Sequence, residues 1–576
     1  MTRKDANRPN LFIVGSMKCG TTILFDFLRS HEQITGGSEK ESHYFSLYYD
    51  LDEEWYLENF PAAVRQKYVL DASPTYFDMC LSAPTAERIK DFSPDAKIII
   101  LIRNPVQRAI SHFLHKKKIN EITALQDVSF DDMVERRWEN ADDVDELESI
   151  RELLIDFSLY SKKIEKFVDI FGYDNVLAVN NDDLRNHGDI VVKQIFDFLG
   201  LDTPEGRDFS HQDYLNGSDA INVKPKNYFD FLTIFGDDYY RACRIVQVKR
   251  PNAPAGMPEF NQPIGGLVGE VGIGENGWLF LAVGSNCVVQ MYTEPEHEQE
   301  TVVEAWHQLV ADRTRKLSAL GSKYYHVMLP EKLTLLGDKL HWPIDTTRSR
   351  GLKFNHTAPT EVKNNIIDLI GYLIKLNNSE TYFLKTDSHW NLYGAFIAYQ
   401  LIFSTLNLHI RKDLLGRPRS MANIVLDLGS KLPDNPAEDV SFAQFREEAE
   451  TVSDEGLVRY KRENGLLNEG SLHVGSYVEF KNPRAPNSQR VLLFGDSFSE
   501  YRDHLITALF AESFKHMAFI WSTSVDFSAC ERFRPDIVFC LMTERFMNRI
   551  PTDDFDFREH ARLAIERRTS ILQGKN

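Results

Sequence analysis

One lysine, two glycines and two threonines stand between an apolar run and an apolar helical pattern in "LFIVGSMKCGTTILFDFL", residues 11–28. A strand, a glycine turn and a helix in that order aim backbone N–H groups and the positive helix end at an anion, so the segment reads as a phosphate cradle. Gly15 and Gly20 have the four-residue gap of the nucleotide loop G-x-x-x-x-G-K-[ST], but Thr21 occupies the lysine position and the lysine is Lys18, inside the loop. This departs from an ATP or GTP loop and places the Lys18 amine beside both the phosphate and whatever is transferred from it. A second strand-turn-helix, "KIIILIRNPVQRAISHF" (97–113), puts Arg103 at the strand end, Pro105 at the helix start and Ser111 two turns in. Arginine offers a planar fork for phosphate and serine a hydroxyl donor, so one ligand with two separated phosphates accounts for both segments.

Two segments in the second half suggest different chemistry. "LKTDSHWNLYGAF" (384–396) holds Asp387 and His389, and "RVLLFGDSFSEY" (490–501) places Ser497 at a turn just after an apolar run. A serine on a strand-to-helix turn is exposed for nucleophilic attack. A histidine can take its proton and an aspartate can orient that histidine. The chain order Asp, His, Ser is no obstacle, because geometry and not order defines a triad.

These residues need elements to hold them. Up to about residue 200, "LFIVG", "KYVLDAS", "AKIIILIR" and "NVLAVN" read as buried strands. They alternate with helical spacing in "TTILFDFLRS", "PVQRAISHFLHKKK", "LYSKKIEKFVDIFG" and "VVKQIFDFLGL". Alternation of this kind implies a mostly parallel sheet with helices on both faces. The segment "QVKRPNAPAGMPEFNQPIGG", 246–265, is dense in Pro, Gly and Asn and is expected to link domain 1–245 to domain 266–576. Beyond it "GWLFLAV", "KYYHVML", "ETYFLKT", "RVLLFG" and "DIVFCLM" read as strands, and "EPEHEQETVVEAWHQLVADRTRKLSAL" and "NNIIDLIGYLIKL" as helices. "RKDLLGRPRS" and 430–470 are polar and loop-like. The 576 residues exceed one ordinary core, which also favours two domains.

Composition narrows the function classes. A formal charge of −19 argues against a general nucleic-acid or anionic-membrane binder, although the local run "HKKK" (115–118) survives that argument. The opening "MTRKDANRPN" is polar and no run reaches the roughly 18 apolar residues of a membrane span, so a cytoplasmic protein without a span is expected. The six cysteines lack C-x-x-C spacing, and neither a disulfide framework nor a metal site is expected.

The first half resembles the PAPS-dependent sulfotransferases. "GSMKCGTT" resembles their 5′-phosphosulfate loop and "RNPVQRAISHF" their 3′-phosphate motif. "EKESHYF" (39–45) and "DASPTYF" (71–77) resemble two signatures of the heparan sulfate sulfotransferase branch, and "NVLAVNNDDLRN" and "IFDFLGL" follow in family order. The resemblance spans roughly residues 9–215. It implies PAPS as co-substrate and a carbohydrate acceptor. It implies that Lys18 stabilises or protonates the bridging oxygen and that Glu41 is the general base, with His43 the alternative. Lys18, Cys19, Gly20, Thr21 and Thr22 would hold the 5′ side, the threonines also capping the helix, and Arg103 and Ser111 the 3′-phosphate. Lys40 would contact substrate or neutralise Glu41, and Ser73 and Tyr76 would line the acceptor cleft. Lys224 and Lys226 are candidates for a closing loop.

The second half resembles the SGNH-hydrolase-like domain of the alginate O-acetylation proteins, over about 266–550. "GENGWLFL" (274–281) matches its opening, D-x-H-W precedes G-D-S-F, and "PDIVFCLMTERF" (535–546) resembles its last strand. That implies Ser497 as nucleophile, His389 as base, Asp387 as orienter, and acetyl transfer to, or ester hydrolysis from, a glycan. The Ser497 N–H would form part of the oxyanion hole, with Arg502 a further candidate. Those relatives commonly work outside the cytoplasm, so an acetyl donor, a hydrolytic role and a domain that only binds glycan all stay open. The expected fold is α/β throughout: a P-loop-like parallel sheet, then an SGNH-like α/β/α domain. A nucleotide kinase and a non-enzymatic interaction protein are the competing readings. The position of Lys18, the missing G-K-[ST] and the Arg103/Ser111 pair argue against the kinase.

Overall fold

The computed structural model describes residues 7–61, 66–119, 123–138, 143–186, 188–204, 223–247, 265–467 and 472–572. Most of the expected linker, residues 248–264, lies outside the described residues. Residues 246 and 247 end a helix, Pro225–Gln247. Chain contacts divide the protein into two compact units, Met1–Gly269 and Glu270–Asn576.

The first unit is built on five parallel strands: β1 (Leu11–Gly15), β2 (Ile34–Gly36), β3 (Tyr68–Ala72), β4 (Lys97–Ile102) and β5 (Val176–Asn180), in the order β2-β3-β1-β4-β5. The strands are apolar at nearly every position because both faces are covered. Leu11, Ile13, Ile99 and Leu101 face Leu24, Phe27 and Leu28 of α1 (Thr21–Leu28). Phe12, Val14, Ile98 and Ile100 face the opposite core with Ile164 and Phe167. The strand after β1 lies to one side of it and the strand after β4 to the other. The crevice outside their carboxyl ends is therefore the switch point where open α/β sheets bind ligands. Two short helices, α2 (Glu53–Leu57) and α3 (Thr75–Asp78), flank β3, and α4 (Pro105–Lys118) follows β4.

The second unit carries a seven-stranded sheet. Its strands are β6 (Lys323–Leu329), β7 (Ile366–Ile367), β8 (Glu450–Glu455), β9 (Tyr477–Lys481), β10 (Asn487–Gly495), β11 (Phe514–Trp521) and β12 (Ile537–Thr543). The order is β7-β6-β12-β10-β11-β9-β8, parallel from β7 to β11 and antiparallel for β9 and β8. Leu492 and Phe494 of the central β10 pack with Trp306, Val310 and Leu317 of the helix Glu296–Ala319 on one face. On the other, Phe510 meets Phe539 and Phe403, the latter from α5 (Leu392–Thr405).

Several sequence expectations need correcting. "ETYFLKT" is not a strand: it holds a single helical turn at Ser379–Tyr382 and one bridge, Phe383 to Trp390. Several of its backbone groups go to side chains instead. Lys385 and Thr386 donate N–H to the Glu438 carboxylate at 2.9 and 2.8 Å, and Lys332 Nζ takes the carbonyls of Leu384 and Lys385. "NNIIDLIGYLIKL" is split by Asp368, which caps a helix from Leu369 and leaves Ile366–Ile367 as β7. The polar stretch 430–470 contains Ala437–Ala443, β8 and the helix Leu457–Glu463.

Candidate functional site

The lysine loop runs from β1 into α1 with two residues in the left-handed region, Gly20 at φ 90° and Lys18 at φ 67°. For Gly20 that conformation costs little, while a lysine there is held by its surroundings. Asp78 does much of the holding: it accepts from Ser16 Oγ at 2.6 Å and from the Met17 N–H at 2.9 Å. Asn181, just past the end of β5, donates to the Cys19 carbonyl at 2.8 Å. Burial lowers the pKa of Lys18, the nearby Lys40, Lys118 and Arg103 push it the same way, and Glu41 opposes them. Burial and three neighbouring cations thus disfavour the charged Lys18, and a bound anion would offset them, which is the environment of an anion site.

Glu41 and His43 lie on the loop after β2. Lys40 Nζ reaches Thr21 Oγ1 (3.3 Å) and Glu41 Oε1 (2.5 Å), tying this loop to the start of α1. His43 Nε2 is 3.6 Å from Glu41 Oε2, its Nδ1 is 2.9 Å from Thr75 Oγ1, and burial lowers its pKa against the pull of Glu41. His43 also has a left-handed backbone, φ 52°.

Behind this loop sits Asp71, a fully buried carboxylate. It accepts from Tyr56 OH and Tyr76 OH, each at 2.8 Å, and from Ser42 and Ser73. Burial raises its pKa and the four hydroxyls pull it back. Ser73 Oγ also receives the His43 N–H. Ser73 and Tyr76 are therefore not cleft-lining residues. Both are buried, because a carboxylate inside a core needs hydroxyl partners.

Arg103 stands at the carboxyl end of β4. Its Nη2 meets Gln107 Oε1 at 3.4 Å, and its Nε is buried without a hydrogen-bond partner. Asn104 caps α4 by accepting from Val106 and Gln107, with Pro105 in the first turn. Ser111 is buried on that helix.

Other expectations of the lysine site change. The Cys19 side chain lies in the apolar core beneath α1, burial pushes its thiol up to about 12, and its N–H goes to Ser16, so it shapes the loop. Neither Thr21 nor Thr22 caps α1, because Gly20 holds the cap position and no side chain caps it. Thr21 is buried, and Thr22 is exposed. Lys224 is bound to Glu135 at 3.2 Å, and the Lys226 side chain lies outside the described residues.

In the second unit Ser497 follows β10, half-buried, with Oγ 2.8 Å from His389 Nε2. His389 Nδ1 is 2.6 Å from Asp387 Oδ1, which also accepts the His389 N–H. Burial works against the charged His389, but Asp387 and Asp427 hold its pKa above the ordinary value. His389 in turn holds the Asp387 carboxyl well below its ordinary range, against burial.

Partners that sequence reasoning missed fix the D-S-H-W loop. Lys332 Nζ donates to the Asp387 carbonyl at 2.5 Å. Asp427 accepts from the Ser388 N–H (2.7 Å) and Ser388 Oγ (2.5 Å), and lies 3.7 Å from His389 Nδ1. Arg545 contacts Ser388 and is paired in the interior with Glu331, Nη2 to Oε2 at 3.0 Å. At the serine turn, Asp496 accepts from the Phe498 N–H and from Thr543. Arg502 is engaged with Glu500 at 3.1 Å. Although no metal is expected, ligand atoms of Asp387, His389 and Asp427 lie within 4.8 Å of one another. The hydrogen bonds just described already use all three. Among the described residues no helix is long and apolar enough to cross a membrane.

Comparison with known proteins divides the chain the same way. Residues 8–216 match the model of the sulfotransferase domain, and 271–422 that of the SGNH hydrolase-like domain, acetyltransferase AlgX. The chain is 38% identical to the membrane-associated sulfotransferase kil1 of Dictyostelium discoideum over 18% of its own length and 22% of that protein. It is 30% identical to the Mus musculus heparan sulfate glucosamine 3-O-sulfotransferase 6 over 34% of its own length and 52% of that protein. The structure of Bacillus cereus PatB1 is similar at 20% identity and a TM-score of 0.36, covering 48% of this chain and 96% of that one. The chain thus spans about half or less of the length of these curated relatives. It combines a sulfotransferase domain with an AlgX-type SGNH hydrolase-like domain. The second match ends before Ser497, so it is the geometry that joins Ser497 to His389.

Proposed function

We propose a bifunctional carbohydrate-modifying enzyme. Its first domain moves a sulfuryl group from PAPS to a hydroxyl or amine of a saccharide. Its second moves an acetyl group onto or off a glycan. The acyl reading rests on one observation, the hydrogen-bonded chain Ser497–His389–Asp387. In it Ser497 Oγ attacks an ester carbonyl while His389 Nε2 takes its proton, and Asp387 fixes the ring and favours the imidazolium. The leaving alcohol takes that proton from His389, and water or a sugar hydroxyl then releases the acyl group from Ser497.

The sulfuryl reading rests on the gathering of Lys18, Lys40 and Glu41 at one end of the sheet, with Arg103 at the end of the neighbouring strand. The fit to a bisphosphorylated nucleotide is supported by the buried Arg103 Nε, which has a donor to give. Arg103 and Ser111 would hold the 3′-phosphate, and the loop N–H groups and Lys18 the 5′ side. Glu41 takes the proton of the acceptor as its oxygen or nitrogen bonds to sulfur, and Lys18 donates to the bridging oxygen as the sulfur–oxygen bond breaks.

Calorimetry with 3′-phosphoadenosine 5′-phosphate, ATP as control, tests the donor site. Binding that rejects ATP and is markedly weakened in Arg103→Ala is expected, and equal binding of ATP refutes it. Labelling by a sulfonyl fluoride tests the other site. Ser497 is expected to be modified in the intact protein and spared in His389→Ala, and equal labelling in both refutes the triad.

A further inference from the structure

The loop that carries Glu41 and His43 continues into an exposed aromatic shelf. Tyr48 and Trp55 are 46% and 43% exposed and meet edge to face at 6.0 Å. Tyr49, also exposed, packs 5.6 Å from Tyr44. Monomers rarely leave several large rings side by side in water without a use for them.

Three observations indicate what the shelf receives. It is continuous with the sulfuryl-transfer loop: Tyr44 stacks on Tyr56 at 4.4 Å and 8°, and Tyr56 OH donates to Asp71, which binds Ser42 between Glu41 and His43. Its charge is negative: Asp50, Asp52, Glu53, Glu54 and Glu58 are all exposed around it, and Asp52 and Glu53 help to raise the Tyr44 pKa that burial lifts. The described cations beside it are engaged: Arg8 pairs with Glu53 at 2.6 Å, and Arg88 lies 4.0 Å over the Tyr49 ring and donates to the Phe45 carbonyl. Among the described residues, Lys40, Lys118 and Arg103 instead stand near Lys18, on the donor side.

We propose that this shelf binds an uncharged sugar ring of the acceptor, so that the sulfotransferase domain acts on a neutral glycan and not on a carboxylated or sulfated one. Ring faces offer apolar area to the C–H face of a pyranose, and the carboxylates accept its hydroxyls. The same carboxylates repel a polyanion. The inference rests on the sulfuryl-transfer reading above.

The test uses the full chain and sulfur-labelled PAPS with two acceptor pools in one tube. One pool holds chitohexaose and mannohexaose, the other heparosan and alginate hexasaccharides. Label is expected in the uncharged pool. Trp55→Ala is expected to raise the acceptor KM by about tenfold, the worth of one aromatic stacking contact, with the PAPS KM and kcat kept. Trp55→Phe should restore it. The pair Asp50→Lys and Glu54→Lys should move label toward the carboxylated pool. Label mainly in that pool in the unaltered protein, an acceptor KM indifferent to Trp55, or no label in either pool while 3′-phosphoadenosine 5′-phosphate still binds would overturn the inference. Failure of that nucleotide to bind at all would instead overturn the donor reading beneath it.

Discussion

At the end of β1, Lys18 sits among Lys40, Lys118 and Arg103. At the end of β10, Ser497 ends a chain of hydroxyl, imidazole and carboxylate. Both places are carboxyl ends of central parallel strands, yet their electrostatics are opposite. Apart from the Lys40–Glu41 pair, the cations of the lysine site repel one another across separate strand ends, an arrangement suited to an incoming anion. The serine site is complementary within itself: each group bonds the next, and the carboxylate raises the pKa of the imidazole. The difference teaches where each site spends its structure. A nucleophile that forms a covalent bond needs its base in contact beforehand. A transfer between two bound molecules needs two cradles and a short path between them.

The comparison is broken most severely by exchanging the two losses. Ser497→Ala is expected to lower acyl transfer or hydrolysis by roughly 10⁴-fold or more while leaving sulfuryl transfer intact, and Lys18→Ala should do the reverse. Paired assays on the full chain check this, and loss of both activities in either variant would mean that the two sites are not independent. Next in size, Glu331→Ala leaves Arg545 charged and unpaired in the interior, at a cost of about 3–5 kcal/mol. Calorimetric unfolding should show the transition of the second unit alone moving down. Arg103→Ala removes a charge-assisted contact and should weaken 3′-phosphoadenosine 5′-phosphate binding by roughly 10- to 100-fold.

Two pH profiles sharpen the contrast. His389 must be neutral to act as base and its pKa is raised, so acyl turnover should rise with pH through a value above 6.5. Asp387→Asn should move that limb to lower pH. Lys18 must be charged to donate and its pKa is lowered, so sulfuryl transfer should fall off on the alkaline side below 10.5. Lys118→Ala should move that fall upward. The smallest effect is expected from Asp427→Asn, which loosens Ser388 and one charge near His389. A few-fold loss in kcat with unchanged stability of the first unit would fit, and an unchanged acyl pH profile would not.

The legible parts of the molecule were local. "LFIVG" next to a glycine turn, Pro105 after a strand, and Ser497 after an apolar run state their own conformation, because strand periodicity, φ restriction and turn chemistry act within a few residues. β11 was missed because the helix Ile506–Ser513 runs into it with no turn residue between them, and its end is fixed by Glu512, which accepts three N–H groups from residues 447–449. "ETYFLKT" misled for the converse reason: its apolar run Tyr382–Leu384 is real, but distant side chains claim part of its backbone.

The residue types by themselves determined which chemistry was available: an amine in a glycine loop, a serine at a turn after an apolar run, a histidine and an aspartate two residues apart. Only the tertiary structure brought Ser497 within hydrogen-bond reach of a histidine 108 residues away, enclosed Asp71 with four hydroxyls, and buried the cysteine of the lysine loop. The reason is physical. Local conformation follows from each residue's own torsional and hydrogen-bonding limits, whereas pKa, contact and exposure depend on which strand ends the sheet order sets side by side.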